Sequence, residues 1–216
     1  MSKKITLLDY GMGNLLNVAR AFEHVGAEVK IAETPQDAVN ADRLVVPGVG
    51  AFKDSIAEVR RRGFDDVIRQ FISTERPFFG ICVGMQMLFD VSEEFGTHKG
   101  LGILPGKVEK IPEKTTDGYS QKIPHIGWNS LIKPDLIPSW RGTLLDRYEV
   151  EHPSVYFVHS FSAVPTIPSD RLADCVYGGH RICAAVQRNN IVAVQFHPER
   201  SGNLGLELID SFARSF

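Results

Sequence analysis

Cysteine, long apolar runs and a surplus of either charge are what this 216-residue sequence lacks. Its three cysteines, Cys82, Cys175 and Cys183, are too few and too far apart for a disulfide framework, and no Cys-x-x-Cys pair suggests zinc. Reduced thiols, no metal and no cofactor are therefore expected. No apolar run approaches the roughly 18 residues needed to span a bilayer, and the opening Met1-Ser2-Lys3-Lys4-Ile5-Thr6-Leu7-Leu8-Asp9 meets an acid before a signal-type apolar core can form. A soluble, cytoplasmic protein with no membrane contact is expected. With 24 basic against 26 acidic side chains the formal net charge is −2, which leaves no electrostatic footprint for nucleic acid. Internal repeats and low-complexity tracts are also missing, so solenoids and fibres are excluded.

What is present is the composition of an ordinary globular protein, 43% hydrophobic, and a length that suits one domain spanning residues 1–216. Ile5 to Tyr10 has a short apolar strand pattern, Gly11-Met12-Gly13-Asn14 a tight turn, and Leu15, Val18, Ala19 and Phe22 a helical period. The alternation recurs in Glu28 to Ile31, in Arg43 to Val46, and in the helical stretch Phe52 to Thr74 ahead of Pro77 to Ile81. Repeated strand and helix units imply an α/β fold with a mainly parallel central sheet flanked by helices. After about residue 100 the texture is strand-rich, in Val108 to Ile111, Ser154 to Val158 and Ile191 to Phe196, and additional antiparallel strands are expected in this C-terminal half. Tyr177-Gly178-Gly179-His180 reads as a hairpin turn between Cys175 and Cys183. The stretches Pro112 to Pro124 and Lys133 to Pro153 read as surface excursions, and Arg60-Arg61-Arg62 as the solvated face of a helix.

The chemically informative segment is Gly80-Ile81-Cys82-Val83-Gly84-Met85-Gln86, which follows an apolar strand and precedes a helical pattern through Met87, Leu88 and Phe89. A sharp strand-to-helix turn crowds the backbone on both sides of its central residue, so the flanking side chains must be absent. The thiol is then held at a helix N-terminus, where exposed N–H groups favour thiolate. A lone cysteine is more often a buried structural side chain; the two glycines are what favour a nucleophile here.

Such a nucleophile needs a base and a group that orients the base. His197 fits best among seven histidines, because Gln195-Phe196-His197-Pro198-Glu199 ends an apolar strand and Pro198 holds His197 extended. Alternate side chains of extended backbone share a side, which brings Glu199 beside the imidazole. A lone His-Pro-Glu is as readily solvated loop, and it gains force only when joined to the elbow. His24, His98 and His152 read as surface residues, while His125 and His159 stay ambiguous. Pro47-Gly48-Val49-Gly50 ends another strand, where glycines can turn backbone N–H groups towards a developing oxyanion, although Pro-Gly also marks an ordinary turn. Nucleotide binding is not supported, because Leu16 occupies the third glycine position of a dinucleotide loop and no Gly-Lys-Ser/Thr is present.

Together, Gly80 to Gln86 and His197-Pro198-Glu199 resemble the class I, triad-type glutamine amidotransferases over nearly the whole chain. Within that superfamily, Asp9 to Asn14, Pro47 to Phe52, Pro124-His125-Ile126-Gly127-Trp128-Asn129 and Tyr156 to Ser160 resemble the glutaminase subunits of imidazole glycerol phosphate synthases. The resemblance implies a flavodoxin-like fold and hydrolysis of glutamine to glutamate and ammonia. The ammonia would pass to a (β/α)₈ barrel cyclase subunit that makes imidazole glycerol phosphate and aminoimidazole carboxamide ribotide in histidine biosynthesis. It implies Cys82 as nucleophile, His197 as base and Glu199 as its orienter, with the backbone N–H of Val83 and that of Val49 or Gly50 at the oxyanion. Gly50, Gln86, Glu94, Ser160 and, as a looser match, Phe161 fall at substrate positions. Asn14, Trp128, Asn129 and Tyr156 fall at the cyclase surface, although core packing is the plain alternative for Trp128. Two other readings stay open: a glutaminase subunit for an anthranilate, aminodeoxychorismate or pyridoxal phosphate synthase, and a non-catalytic module of the same fold.

Overall fold

The computed structural model describes residues 4–149 and 153–215; His152 lies outside them. In chain order its elements are β1 (Lys4–Leu8), α1 (Leu15–His24), β2 (Glu28–Ala32), α2 (Pro35–Ala38), β3 (Leu44–Gly48), α3 (Phe52–Arg61), α4 (Phe64–Ser73) and β4 (Phe78–Cys82). There follow α5 (Val83–Gln86), β5 (Phe89–Ser92), β6 (His98–Lys99), β7 (Leu104–Lys110), β8 (His125–Ile132), β9 (Ser154–His159) and β10 (Phe161–Pro165). The chain closes with β11 (Arg171–Tyr177), β12 (His180–Arg188), β13 (Ile191–Val194) and α6 (Gly202–Ser215).

Nine strands form one sheet in the order β2-β1-β3-β4-β13-β12-β11-β8-β9. From β2 to β13 every pairing is parallel, and from β13 to β9 every pairing is antiparallel. The parallel half thus comes from the strand and helix units, and the antiparallel half from the C-terminal strands. A second sheet, in the order β10-β7-β5-β6, carries the segment that follows the elbow. The hairpin expected at Gly178-Gly179 joins β11 to β12, with Tyr177 paired to His180 and both glycines at positive φ.

The helices follow their apolar period. In α3 the buried positions are Phe52, Ser55, Ile56 and Val59, and in α4 they are Phe64, Val67, Ile68 and Phe71. Each set is spaced to put one face on the sheet. The run read as a single helical stretch is two helices, because Gly63 sits at φ 72° between them. On the sheet, Phe79 of β4 packs on Phe212 of α6 at 5.0 Å and Phe22 of α1 reaches the same ring at 6.3 Å. Each fully buried ring contributes about 2–3 kcal/mol, so this cluster holds the strand that ends in Cys82 firmly in register.

Two expectations need correction. The helical pattern read through Met87 to Phe89 does not form a helix: α5 is a single turn, and Phe89 opens β5, whose Phe89 and Val91 pair with Leu104 and Lys107 of β7. Sheet pairing overrides a short apolar run that suits either state. The arginine run is solvated at Arg60 and Arg61, although Arg60 also donates to the carbonyl of Gly100; Arg62 is half-buried and donates to that of Asp9, and Glu58 pairs with both Arg61 and Arg62.

The turn out of β4 is the tightest point of the fold. A methyl group added at Gly84 would overlap the carbonyl oxygen of Val46 in β3. We expect Gly84→Ala to lower unfolding stability by about 2–3 kcal/mol in urea titration, because the obstacle is backbone that cannot rotate away. A loss below a few tenths would mean that the elbow tolerates a side chain there.

Candidate active site

Strand order decides which residues can meet. Cys82 ends β4 opposite Gly48 of β3, and Ile81 pairs with Val194 of β13, so the carboxyl ends of three adjacent parallel strands converge. Ligands gather at this end of open α/β sheets. Here lies a cavity of about 330 Å³ lined by Cys82, His197 and Glu199, by Val49, Gly50 and Val83, and by Gln86, Glu94, Ser160 and Phe161. Residues up to 186 positions apart in sequence, from Asn14 to Arg200, thus line one cavity.

Cys82 is a non-glycine residue at φ 56° and ψ −113°, a sparsely populated backbone region that persists only where surrounding structure enforces it. Enforcement comes from β3 on one side and the single turn of α5 on the other. His197 adopts the extended φ of −102° and ψ of 96° expected before a proline. Its Nδ1 lies 2.8 Å from Glu199 Oε1, and both side chains are buried. The His197 segment is fastened to β9, since His197 N–H donates to the Tyr156 carbonyl at 2.9 Å. The Ser201 hydroxyl donates to the His197 carbonyl and accepts the Tyr156 N–H.

Burial alone would lower the pKa of His197. Hydrogen bonding and charge attraction from Cys82 and Glu199 outweigh it and push the imidazole up to about 10. The imidazole between these two acidic partners can take the thiol proton, and the imidazolium so formed can return it to a leaving group. Glu199 Oε2 is buried and has no hydrogen-bond partner among the described residues, so this carboxylate relies on the imidazole for compensation.

A second polar system behaves in the opposite way. His125 Nδ1 lies 3.0 Å from His159 Nε2, and His159 Nδ1 lies 3.0 Å from the Phe161 carbonyl. Burial lowers His125 to about 4 and His159 to about 3, so both are neutral near pH 7. The side-chain amide of Gln86 donates to the same Phe161 carbonyl and to Gln195 Oε1, each at 3.0 Å, and Gln195 Nε2 reaches Cys82 Sγ at 3.6 Å.

A family model described as glutamine amidotransferase class-I matches residues 6–214. The chain belongs to the class-I glutamine amidotransferase family. Among its relatives, imidazole glycerol phosphate synthase subunit HisH 1 of Legionella pneumophila (strain Lens) is 47% identical over 208 residues, which cover 96% of this chain and 97% of that one. The HisH subunit of Geobacter sulfurreducens is 43% identical over 211 residues, covering 97% of each. The chloroplastic HisHF of Arabidopsis thaliana is 41% identical over 210 residues, covering 96% of this chain and 33% of that longer one. Two solved structures share the fold at low identity: PurLQS from Thermotoga maritima, with a TM-score of 0.71 at 18% identity and 98% of each chain covered, and the glutaminase domain of Trypanosoma brucei CTPS with bound acivicin. The latter superposes with a TM-score of 0.61 at 15% identity, covering 97% of this chain and 93% of that one.

In this amidotransferase every residue expected at the catalytic, oxyanion and substrate positions lines the one cavity, whereas the four expected at a partner surface divide. Asn14 lines the cavity beside Gly50. Trp128 is 58% exposed, which excludes core packing, and it meets Tyr156 edge-on at 6.3 Å, with the Arg200 guanidinium 4.2 Å from the Tyr156 ring. Asn129 does not share that face: strand alternation turns it the other way, where its amide donates to the Val176 carbonyl and lies 3.4 Å from His125. Sequence reasoning missed Gln195 altogether. The available signal is a glutamine ending the otherwise apolar, fully buried strand Ile191 to Val194.

The two systems impose opposite pH dependences. The raised value of His197 gives stability that is complete below about pH 6.5 and is lost as pH rises towards about 10. The lowered values of His125 and His159 mean that the unfolded chain takes up protons the folded chain refuses, so stability falls as pH drops below about 6.5 and levels off below about 3. We expect the urea midpoint to decline between pH 6.5 and 4, and to decline less in His125→Gln. Equal slopes in the two proteins would remove the histidine pair as the cause.

Proposed function

We propose that this chain is the glutaminase subunit of an imidazole glycerol phosphate synthase and works in the cytoplasm with a cyclase subunit of (β/α)₈ barrel form. The observation that carries the reading is Cys82, strained at the elbow beside a buried His197–Glu199 pair in a cavity of substrate size. The HisH relatives match at 43–47% identity over nearly their whole length, and the matched region is a third of the plant HisHF, which leaves room in that protein for a second unit.

In this reading the Cys82 sulfur attacks the side-chain carbonyl carbon of glutamine. The carbonyl electron pair moves to oxygen, where the backbone N–H of Val83 and that of Val49 or Gly50 receive the charge. Collapse of the intermediate breaks the C–N bond as His197 delivers its proton to the departing nitrogen, releasing ammonia and leaving a glutamyl thioester on Cys82. Water, deprotonated by His197, then cleaves the thioester to glutamate and restores the thiol. Glu199 holds the imidazole in its working orientation. Gln86, Glu94, Ser160 and Phe161 surround the substrate with polar and aromatic groups.

Ammonia must reach an acceptor without dilution into solvent, so the partner belongs over the cavity mouth. Val158 and Arg200 form one rim of the cavity, and the same side of the β8–β9 ribbon continues to Ile126, 53% exposed, and Trp128. An exposed tryptophan set edge-on against an arginine-capped tyrosine is the composition of an interface anchor. The cyclase would dock there and convert a ribulosyl-formimino carboxamide nucleotide with the delivered ammonia into imidazole glycerol phosphate and aminoimidazole carboxamide ribotide.

The test is glutamate release from glutamine by the chain alone and with an imidazole glycerol phosphate cyclase subunit and its nucleotide, followed by Cys82→Ala. Stimulation by the pair of at least about tenfold is expected. Cys82→Ala should abolish synthesis from glutamine and leave synthesis from added ammonia intact. Release without stimulation would point to a different synthase, and silence with a functional cyclase would point to a non-catalytic module.

A further inference from the structure

The Cys82 sulfur has a second neighbour that the reaction above does not use. Gln195, fully buried at the end of β13, brings its side-chain nitrogen to 3.6 Å from Cys82 Sγ. A side-chain amide can be turned either way, so the chemistry depends on what fixes its polarity. Here the fixing group is traceable atom by atom. The Phe161 carbonyl can only accept, and it receives His159 Nδ1 and Gln86 Nε2. His159 therefore carries its proton on Nδ1 and accepts at Nε2 from His125 Nδ1, whose own Nε2 faces the amide nitrogen of Asn129. Gln86, turned over, would set its oxygen against the Phe161 carbonyl, so its Nε2 stays in place and gives its second hydrogen to Gln195 Oε1. The oxygen of Gln195 being taken, its N–H groups face the sulfur.

We propose that Gln195 is a positioning residue for the nucleophile: its side-chain amide donates to the Cys82 sulfur and, with polarity set by Gln86, itself fixed by the Phe161 carbonyl, aims a sulfur lone pair into the cavity. Two donors, His197 on one side and Gln195 on the other, occupy two directions around the sulfur and leave the third for the substrate carbon. When the S–C bond forms, no proton leaves Gln195; its hydrogen bond weakens as negative charge moves from sulfur to the carbonyl oxygen. A hydrogen bond to a charged partner accounts for roughly a tenfold to hundredfold effect when it is lost.

The inference rests on Cys82 being the nucleophile of the glutaminase reading, and its test separates the two. The alkylation rate of Cys82 by iodoacetamide is followed by peptide mass mapping over about pH 5 to 9 in the full chain, in wild type, Gln195→Leu and the near-isosteric Gln195→Glu. The titratable groups around the sulfur are His197 and Glu199 beyond β13, Tyr10 beyond β1, His159 ending β9 and Glu94 beyond β5, all unchanged in these variants. We expect the midpoint of the alkylation profile to move to higher pH in Gln195→Leu and further in Gln195→Glu, which replaces a donor by an acceptor. In the complex with a cyclase subunit, kcat for glutamine hydrolysis should fall about tenfold to a hundredfold with KM within about twofold. Wild-type alkylation profiles in both variants, or a loss confined to KM, would overturn the proposal. Absence of glutaminase activity in the wild type with a functional cyclase would defeat the glutaminase reading, while the alkylation profile would still decide what Gln195 does to the sulfur.

Discussion

Everything at the cavity depends on the close approach of two backbones where β4 turns into α5. The Val46 carbonyl of β3 occupies the space a side chain at position 84 would need, so the chain can turn there only with glycine, and the turn forces Cys82 to a positive φ. Strain of this kind costs on the order of 1–3 kcal/mol and survives because parallel pairing on both sides of β4 overdetermines the backbone. The return is a thiol whose position owes little to its own rotamer preferences. The same register sets the end of β13 beside the elbow, which is why His197, more than a hundred residues away, arrives at the sulfur at all.

Two polar systems of opposite electrostatic character meet at that sulfur. On one side His197 and Glu199 form a buried charged pair, whose desolvation is offset by their mutual attraction and by Cys82. On the other side the Asn129, His125, His159, Gln86 and Gln195 chain is neutral throughout, linked donor to acceptor from one residue to the next. The division is physically sensible. A charge on His159 would repel the imidazolium of His197, and burial keeps it off. Mobile protons are thereby confined to the side where chemistry needs them, and the neutral side supplies fixed geometry. The Asn129 end of that chain lies in β8, next to the exposed Trp128, so one strand carries both the buried polar chain and the exposed tryptophan.

Much of this was legible in the sequence. Paired glycines around Cys82 and the extended His197-Pro198-Glu199 segment each encode a local backbone constraint, and local constraints are what short motifs report. The strand and helix alternation up to Ile81 follows from periodicity, and so do the antiparallel C-terminal strands. The helix after the elbow was misread because Met87 to Phe89 is apolar without a decisive period, and only pairing with β7 settles it as strand. The resemblance groups Asn129 with Trp128, and only the strand pleat shows that the two side chains face apart. Gln195 escaped notice because its partners, Gln86 and Cys82, are 109 and 113 positions away and no local pattern announces them.

The central claim is that the strained Cys82 is the atom at which glutamine is opened. The most direct measurement is acid quenching of the complex during turnover of labelled glutamine, followed by peptide mapping of the covalent adduct. The account requires a glutamyl thioester on the peptide that carries Cys82, formed and consumed at rates that match glutamate release. Turnover with no adduct on that peptide, or with the label on Cys175 or Cys183, would contradict it.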